Sequence, residues 1–287
     1  MSVKLYQFGS FSITNYYGGE KLNQKMGYII VTDGGKIIVI DGGYSDESEE
    51  FLKLLRAIGG EKPTISAWFL THMHGDHIGL FADVIKNHFS EVTIENIYYN
   101  FPSREEIGTY GKGAVIPTYD NFFENSHKFK DVVKIVKKDD VIVIEEVKFE
   151  ILFVPVNRYH ESNNINNSSI VIRMEAEGQS VLFLADLAEP AGTDFIKEVS
   201  AEKIKSDIVQ MAHHGQYGVK KEVYEVIEPK CCLWCAPDWL WDNDIGGGFN
   251  THVFQTVEVR SWMDELNVKH HIVLKDGTQM LELPVTF

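Results

Sequence analysis

The segment Thr71-His72-Met73-His74-Gly75-Asp76-His77 constrains this chain more than any other. It packs four side chains able to ligate a cation into six residues. The apolar run Ile65–Leu70 leads into it and a helical pattern over Gly79–Phe89 follows, so it occupies a strand-to-helix corner. Neutral imidazole suits zinc, copper, iron or nickel, and an aspartate adds a harder oxygen donor. Residues two apart in an extended chain point the same way, so His72 and His74 can reach one cation together. Asp76 and His77, beyond the turn at Gly75, can face a second position close by. The bland alternative is a surface loop rich in histidine.

The rest of the chain supplies a frame for such a corner. The N-terminal part reads as a β-meander: Val3–Phe8, Ser12–Tyr17, Met26–Thr32 and, after the turn Asp33-Gly34-Gly35, Lys36–Ile40. Acidic residues open Ser45–Ile58, whose apolar residues recur at helical spacing until Gly59-Gly60. Ile94–Tyr99 reads as a strand, residues 100–118 as a long loop and Tyr119–Val136 as a helix. Val141–Ile144 with Val147–Pro155, and Ser168–Glu175 with Ser180–Ala185, read as hairpins. Helices over Ala191–Ser200, Lys220–Ile227 and Val253–Leu266 then alternate with strands Ile208–Met211, Cys231–Cys235 and Val268–Leu274, before a last strand at Met280–Leu283. No linker rich in Pro, Gly or Ser divides these halves. They predict a single domain over residues 1–287, a sheet sandwich covered by helices on both outer faces.

The corner resembles the H-x-H-x-D-H signature of the metallo-β-lactamase superfamily, matched at every fixed position. The resemblance implies an α/β fold, a four-layer αββα sandwich of two mixed β-sheets with outer helices. It also assigns further residues. Asp41, alone a turn residue in Asp-Gly-Gly, becomes a group that orients a ligand histidine. Asp186 follows the apolar run Val181-Leu182-Phe183-Leu184-Ala185 and becomes the bridge between two metals, the alternative being a helix cap before Glu189-Pro190. In His213-His214-Gly215 adjacent imidazoles of an extended chain diverge, so one ligates; His213 is taken as the ligand and His214 as a catalytic neighbour. The implied metal ligands are thus His72, His74, Asp76, His77, Asp186 and His213, with Asp76, His214 and His252 in catalytic roles. His252 is either a proton donor or substrate contact at the mouth of the site, or a cap for the next helix.

Asn166-Asn167-Ser168-Ser169-Ile170-Val171, read with Phe183-Leu184-Ala185-Asp186 and His213-His214-Gly215, is similar to the ComEC-like branch, which includes the soluble domain of a bacterial DNA-uptake channel. One position departs from the superfamily pattern. Many members carry a third-motif histidine just before the strand that starts here near Ser168, where this chain has asparagines. His160 either substitutes for it through a loop or lies on the surface.

The implied activity is hydrolysis by a metal-bound hydroxide, with zinc as the cofactor, one or two ions, and manganese or iron as alternatives. A phosphodiester or nucleotide is the favoured substrate. The alternatives are a lactone, thioester or other carboxylic ester, and a non-hydrolytic metal-binding or redox module of the same fold. A formal charge of −15 argues against stable nucleic-acid binding, which needs Lys and Arg against phosphates. There is no run of about 18 apolar residues, no basic and apolar leader, and three cysteines make no disulfide framework; the expected location is the cytoplasm, without membrane partners. Cys232-Leu233-Trp234-Cys235 has redox spacing but lies in an apolar strand, which favours buried structural thiols. Trp239-Leu240-Trp241 beside Gly246-Gly247-Gly248 reads as an aromatic loop, serving as lid, recognition surface or interface.

Overall fold

Alternation along the central strands decides the layering. In Ile37–Asp41, Ile38 and Ile40 face one apolar cluster while Ile37 and Val39 face another. In Thr64–Leu70, Ala67 and Phe69 divide from Trp68 and Leu70 in the same way. A strand buried on both faces needs a layer on each side. The computed structural model, which describes residues 2–9, 15–17, 20–22, 24–103, 105–106, 115–155 and 165–287, supplies them.

The first half contributes β1 (Val3–Gln7), the small hairpin β2 (Asn15–Tyr17) and β3 (Glu20–Leu22), β4 (Gly27–Val31), β5 (Ile37–Asp41), α1 (Ser48–Gly59), β6 (Thr64–Leu70), α2 (Gly75–Asn87), β7 (Thr93–Ile94), β8 (Ile97–Tyr99), α3 (Val115–Glu124) and β9 (Val133–Ile135). The second half contributes β10 (Val141–Ile144), β11 (Val147–Phe153), β12 (Val171–Ala176), β13 (Gln179–Phe183), α4 (Ala191–Glu198), β14 (Ile208–Gln210), α5 (Lys221–Ile227), β15 (Cys231–Trp234), α6 (Thr256–Glu265), β16 (His270–Val273) and β17 (Gln279–Leu283). One sheet runs β17-β1-β4-β5-β6-β8-β9, with β7 beside β6; the other runs β10 to β16 in chain order. Each is mixed: β5, β6, β8 and β9 are parallel in the first, and β13 to β16 in the second. The last strand returns to the first sheet, pairing Val3 with Leu283 through Gln7 with Gln279.

Apolar side chains from both inner faces, among them Leu5, Ile40, Phe69, Phe149, Ile172, Phe183 and Leu233, form the central core. Phe51, Leu55, Phe81 and Phe122 cover the outer face of the first sheet, and Phe195, Tyr224 and Met263 that of the second. This is the helix–sheet–sheet–helix arrangement expected. Each such side chain contributes about 1.5–3 kcal/mol on leaving water. On β15, Cys231, Leu233 and Cys235 face the central core while Cys232 and Trp234 face the helices. Cys232 and Cys235 therefore lie on opposite sides of the strand, and all three cysteines are buried and free. Among the described residues no helix is long and apolar enough to cross a membrane.

Three boundaries differ from expectation. The helix placed at Gly79 begins at Gly75, which brings Asp76 and His77 into its first turn. The helix read over Tyr119–Val136 ends at Glu124. Phe122 and Phe129 still pack on Phe81, but the β-branched Val133–Ile135 is drawn into strand pairing by the free edge of β8, a tertiary contact that overrides helical spacing. The helix read from Val253 starts at Thr256 with Gln255 as its cap. Parts of the strand read over Ser12–Tyr17 and of the loop read over 100–118 lie outside the described residues, as does His160.

Candidate metal centre

Parallel strands end together, and the site is built on those ends. Asp41 closes β5, Thr71 and His72 follow β6, Asp186 follows β13, and His213 and His214 follow β14. The backbone N–H of Ile170 donates to the Thr71 carbonyl at 3.2 Å, joining the two halves at this edge. Asp41, Ala185, His213 and His214 all hold left-handed backbone (φ 54°, 50°, 52° and 60°). Such conformations cost free energy for non-glycine residues and collect at functional sites.

That backbone turns Asp41 back over its strand end. Its Oδ1 accepts the Thr71 N–H at 2.8 Å, and its Oδ2 accepts the Thr71 hydroxyl at 2.6 Å. The same Oδ2 lies 2.8 Å from His77 Nδ1, so a proton held there leaves Nε2 of His77 facing Asp186 Oδ1 at 3.1 Å. His214 is fixed in like manner: Nδ1 lies 3.3 Å from the Cys235 carbonyl and Nε2 3.2 Å from Asp76 Oδ2. Gln24 Nε2 donates to that Asp76 oxygen at 3.3 Å. Gln210 clamps the residue before Asp186, accepting the Ala185 N–H at 2.6 Å and donating to the Ala185 carbonyl at 3.1 Å.

Among the described residues two donor groups result, each with all its ligand atoms within 4.8 Å of one another. One is His72, His74 and Asp186; the other is Asp76, His77, Asp186 and His214. Asp186 belongs to both. It caps no helix, since α4 is preceded by Pro190. His77 Nε2, His214 Nε2 and Asp186 Oδ1 are buried without a well-directed hydrogen bond, although His77 Nε2 lies 3.1 Å from Asp186 Oδ1 and His214 Nε2 3.2 Å from Asp76 Oδ2. Buried polar atoms converging in this way, in a set of imidazoles and carboxylates, fit a divalent cation in each group.

The charges point the same way. Burial pushes His72 and His74 down, so both stay neutral. Burial opposes the charged form of His77 too, but the carboxylates of Asp186 and Asp41 outweigh it and hold His77 well above the usual histidine range. Burial likewise opposes a charge on His214, yet Asp186 and Asp76 hold it at about 9. Desolvation would raise Asp76 and Asp186, but neighbouring His214 and His77 keep both below the usual carboxylate range. Two buried anions demand nearby positive charge, which a divalent ion would provide while taking the imidazole lone pairs.

The structure thus brings together His72, His74, Asp76, His77, Asp186 and His214. His213 lies outside both groups, with Nε2 3.9 Å from Asp186 Oδ2, whereas His214, read as a catalytic neighbour, lies in the second. The expectation that the two imidazoles diverge assumed extended chain; the left-handed turn aims both toward Asp186. Burial pushes His213 down to about 4. His252 caps no helix: its ring packs on Phe254 at 4.4 Å and its carbonyl accepts from Asn243 Nδ2 at 2.7 Å. The Tyr217 N–H donates to the Phe254 carbonyl at 3.1 Å, and neither donor group includes His252. Thr71, Gln24 and Gln210 were not read from the sequence. A threonine beside the histidine motif was a signal for the first; nothing marked the glutamines.

A family model described as the metallo-beta-lactamase superfamily matches residues 24–266. No curated protein matches the sequence. Among solved structures the fold is similar to that of the metallo-beta-lactamase fold protein YhfI from Bacillus subtilis, at 14% identity and TM-score 0.55, covering 98% of this chain and 100% of that one. A diphosphatase from the PhnP family is similar at 16% identity and TM-score 0.50, with 99% of each chain covered. CmlA, a diiron beta-hydroxylase from Streptomyces venezuelae, is similar at 12% identity and TM-score 0.55, over 98% of this chain but 54% of that one.

Proposed function

The chain belongs to the metallo-β-lactamase superfamily, whose members are typically metal-dependent hydrolases, and from that premise we infer that it is a hydrolase acting on a phosphodiester or nucleotide. The observation that carries the reading is the pair of buried donor groups sharing Asp186. In this reading His72, His74 and Asp186 hold one ion, and Asp76, His77, His214 and Asp186 hold the other. A bound divalent ion lowers the pKa of its water from about 15.7 to about 7 and polarises a phosphoryl or carbonyl oxygen. Asp41 and the Cys235 carbonyl keep the His77 and His214 rings turned so that Nε2 of each faces the carboxylates. Asp76, kept anionic by His214 and His77, would accept a hydrogen bond from the water and orient it. In this reading His252 would serve as proton donor to the leaving group. Zinc is the favoured ion, with manganese and iron as alternatives.

The phosphodiester preference draws on the ComEC-like pattern in Asn166–Val171 and His213-His214-Gly215. The charge of −15 favours a small anion drawn to the metal centre over a nucleic-acid polymer gripped along its backbone. Protein loaded with zinc or manganese is assayed on bis-p-nitrophenyl phosphate beside a lactone and nitrocefin. Turnover of the phosphodiester is expected. Turnover confined to the lactone or nitrocefin overturns the substrate class. Two firmly held irons with no hydrolysis of any of them overturn the hydrolase itself.

A further inference from the structure

The two donor groups are unequal. The second has four buried ligands, the first only three, and His74 in it is partly exposed. Just before β12, where the superfamily pattern would set a third imidazole, lies Asn166, connected to the shared Asp186 through His213. Asn166 is 6% exposed, at the start of a short turn, Asn166–Ser168. The turn is pinned on two sides, by the Ile170 N–H on the Thr71 carbonyl and by Asn167 Nδ2 on the Glu189 carbonyl at 3.0 Å. Asn166 Nδ2 lies 3.2 Å from His213 Nε2. His213 Nε2 in turn lies 3.9 Å from Asp186 Oδ2, the oxygen that is 3.7 Å from His72 Nε2. With the amide nitrogen donating to His213, the amide oxygen is left over, and it is buried without a hydrogen-bond partner. A buried amide oxygen without a donor is costly unless a cation or a donor meets it.

We propose that Asn166 Oδ1 is the additional ligand of the first metal position, with His213 the positioning residue that fixes the amide by accepting its N–H. The inference rests on the hydrolase reading for the existence of the two metal positions. It assigns the first position two imidazoles and two oxygens, and the second two imidazoles and two carboxylates, one of them shared. Amide and carboxylate oxygens favour manganese more than a third imidazole would. The first position is therefore the weaker of the two and the more tolerant of manganese.

Calorimetric titration of the chelator-treated full chain with manganese chloride, and separately with zinc chloride, tests this, with folding checked by circular dichroism. Two classes of site are expected, and His74→Ala identifies the weaker as the first position. Asn166→Ala should weaken that class at least about tenfold and leave the tighter class unchanged. His213→Ala should weaken the same class about 10–100-fold, the usual cost of losing a group that orients a ligand. Asn166→Asp, which keeps the oxygen and adds charge, should retain or strengthen it for manganese. His160→Ala should leave both classes as they are. An Asn166→Ala isotherm identical to that of the unaltered chain overturns the proposal, as does loss of the weaker class in His160→Ala alone. No metal uptake in any form sinks the hydrolase reading instead, so the two failures are distinguishable.

Discussion

From a left-handed turn the Asp41 carboxylate makes three hydrogen-bond contacts, with the Thr71 N–H, the Thr71 hydroxyl and His77 Nδ1. Its work is to hold Thr71 at the end of β6 and the His77 ring at one tautomer. Asp41→Asn keeps the shape but reverses one side of that contact, since an amide nitrogen cannot accept. Metal affinity at the second position should fall about 10–100-fold, read by competition with a chromogenic chelator. His214→Ala should abolish the tighter class of metal, while His213→Ala spares it. The histidine motif was plain in the sequence because its ligands are local. The choice between His213 and His214 was not, because it depends on φ at two residues, and no side-chain pattern announces a left-handed pair. Asn166 shows the same limit: the missing imidazole was visible, but the buried amide oxygen beside His213 is a tertiary fact.

Among the elements, the turn after β14 is the most demanding. Gly215 sits at φ 87°, and a Cβ there would come 2.3 Å from Cε3 of Trp234. Trp234 is buried on the outer face of β15 and cannot yield without disturbing its edge contact with Trp241 and its indole N–H bond to His271 Nδ1. Gly215→Ala should therefore cost about 1–3 kcal/mol in urea unfolding and loosen the turn that carries His214. At this scale the hairpins and the strand–helix alternation of the second half were legible, since turn residues and apolar alternation agree there. The stretch after Glu124 was not. Its apolar residues follow a helical period as far as Phe129, while Val133–Ile135 answers to the edge of β8, which lies in a different part of the chain. The true start of α2 at Gly75 likewise escaped periodicity, because its first turn is spent on Asp76 and His77 rather than on apolar contacts.

Across the whole molecule, the proposed metal positions lie where the two halves meet, beside polar contacts such as Ile170 N–H to the Thr71 carbonyl and Gln7 Nε2 to the Trp234 carbonyl. In the proposed reading both positions draw ligands from the two halves of the chain: His72, His74, Asp76 and His77 from the first, Asp186 and His214 from the second. An ion held there stabilises the folded chain by about 2.7 kcal/mol when free metal is a hundred times its dissociation constant. Chelation should accordingly lower the midpoint of thermal unfolding, and restored metal should raise it, in a scanning calorimeter. Phe149→Ala, in the central core away from the ligands, should cost about 3–5 kcal/mol and leave metal stoichiometry intact. The pairing of β17 with β1 carries a different consequence. Val3–Gln7 and Gln279–Leu283 lie far apart along the chain, so during synthesis the earlier strand waits for that neighbour while everything between them is made. Contacts this distant along the chain close slowly, and an unmatched strand invites its like from another nascent copy in the meantime.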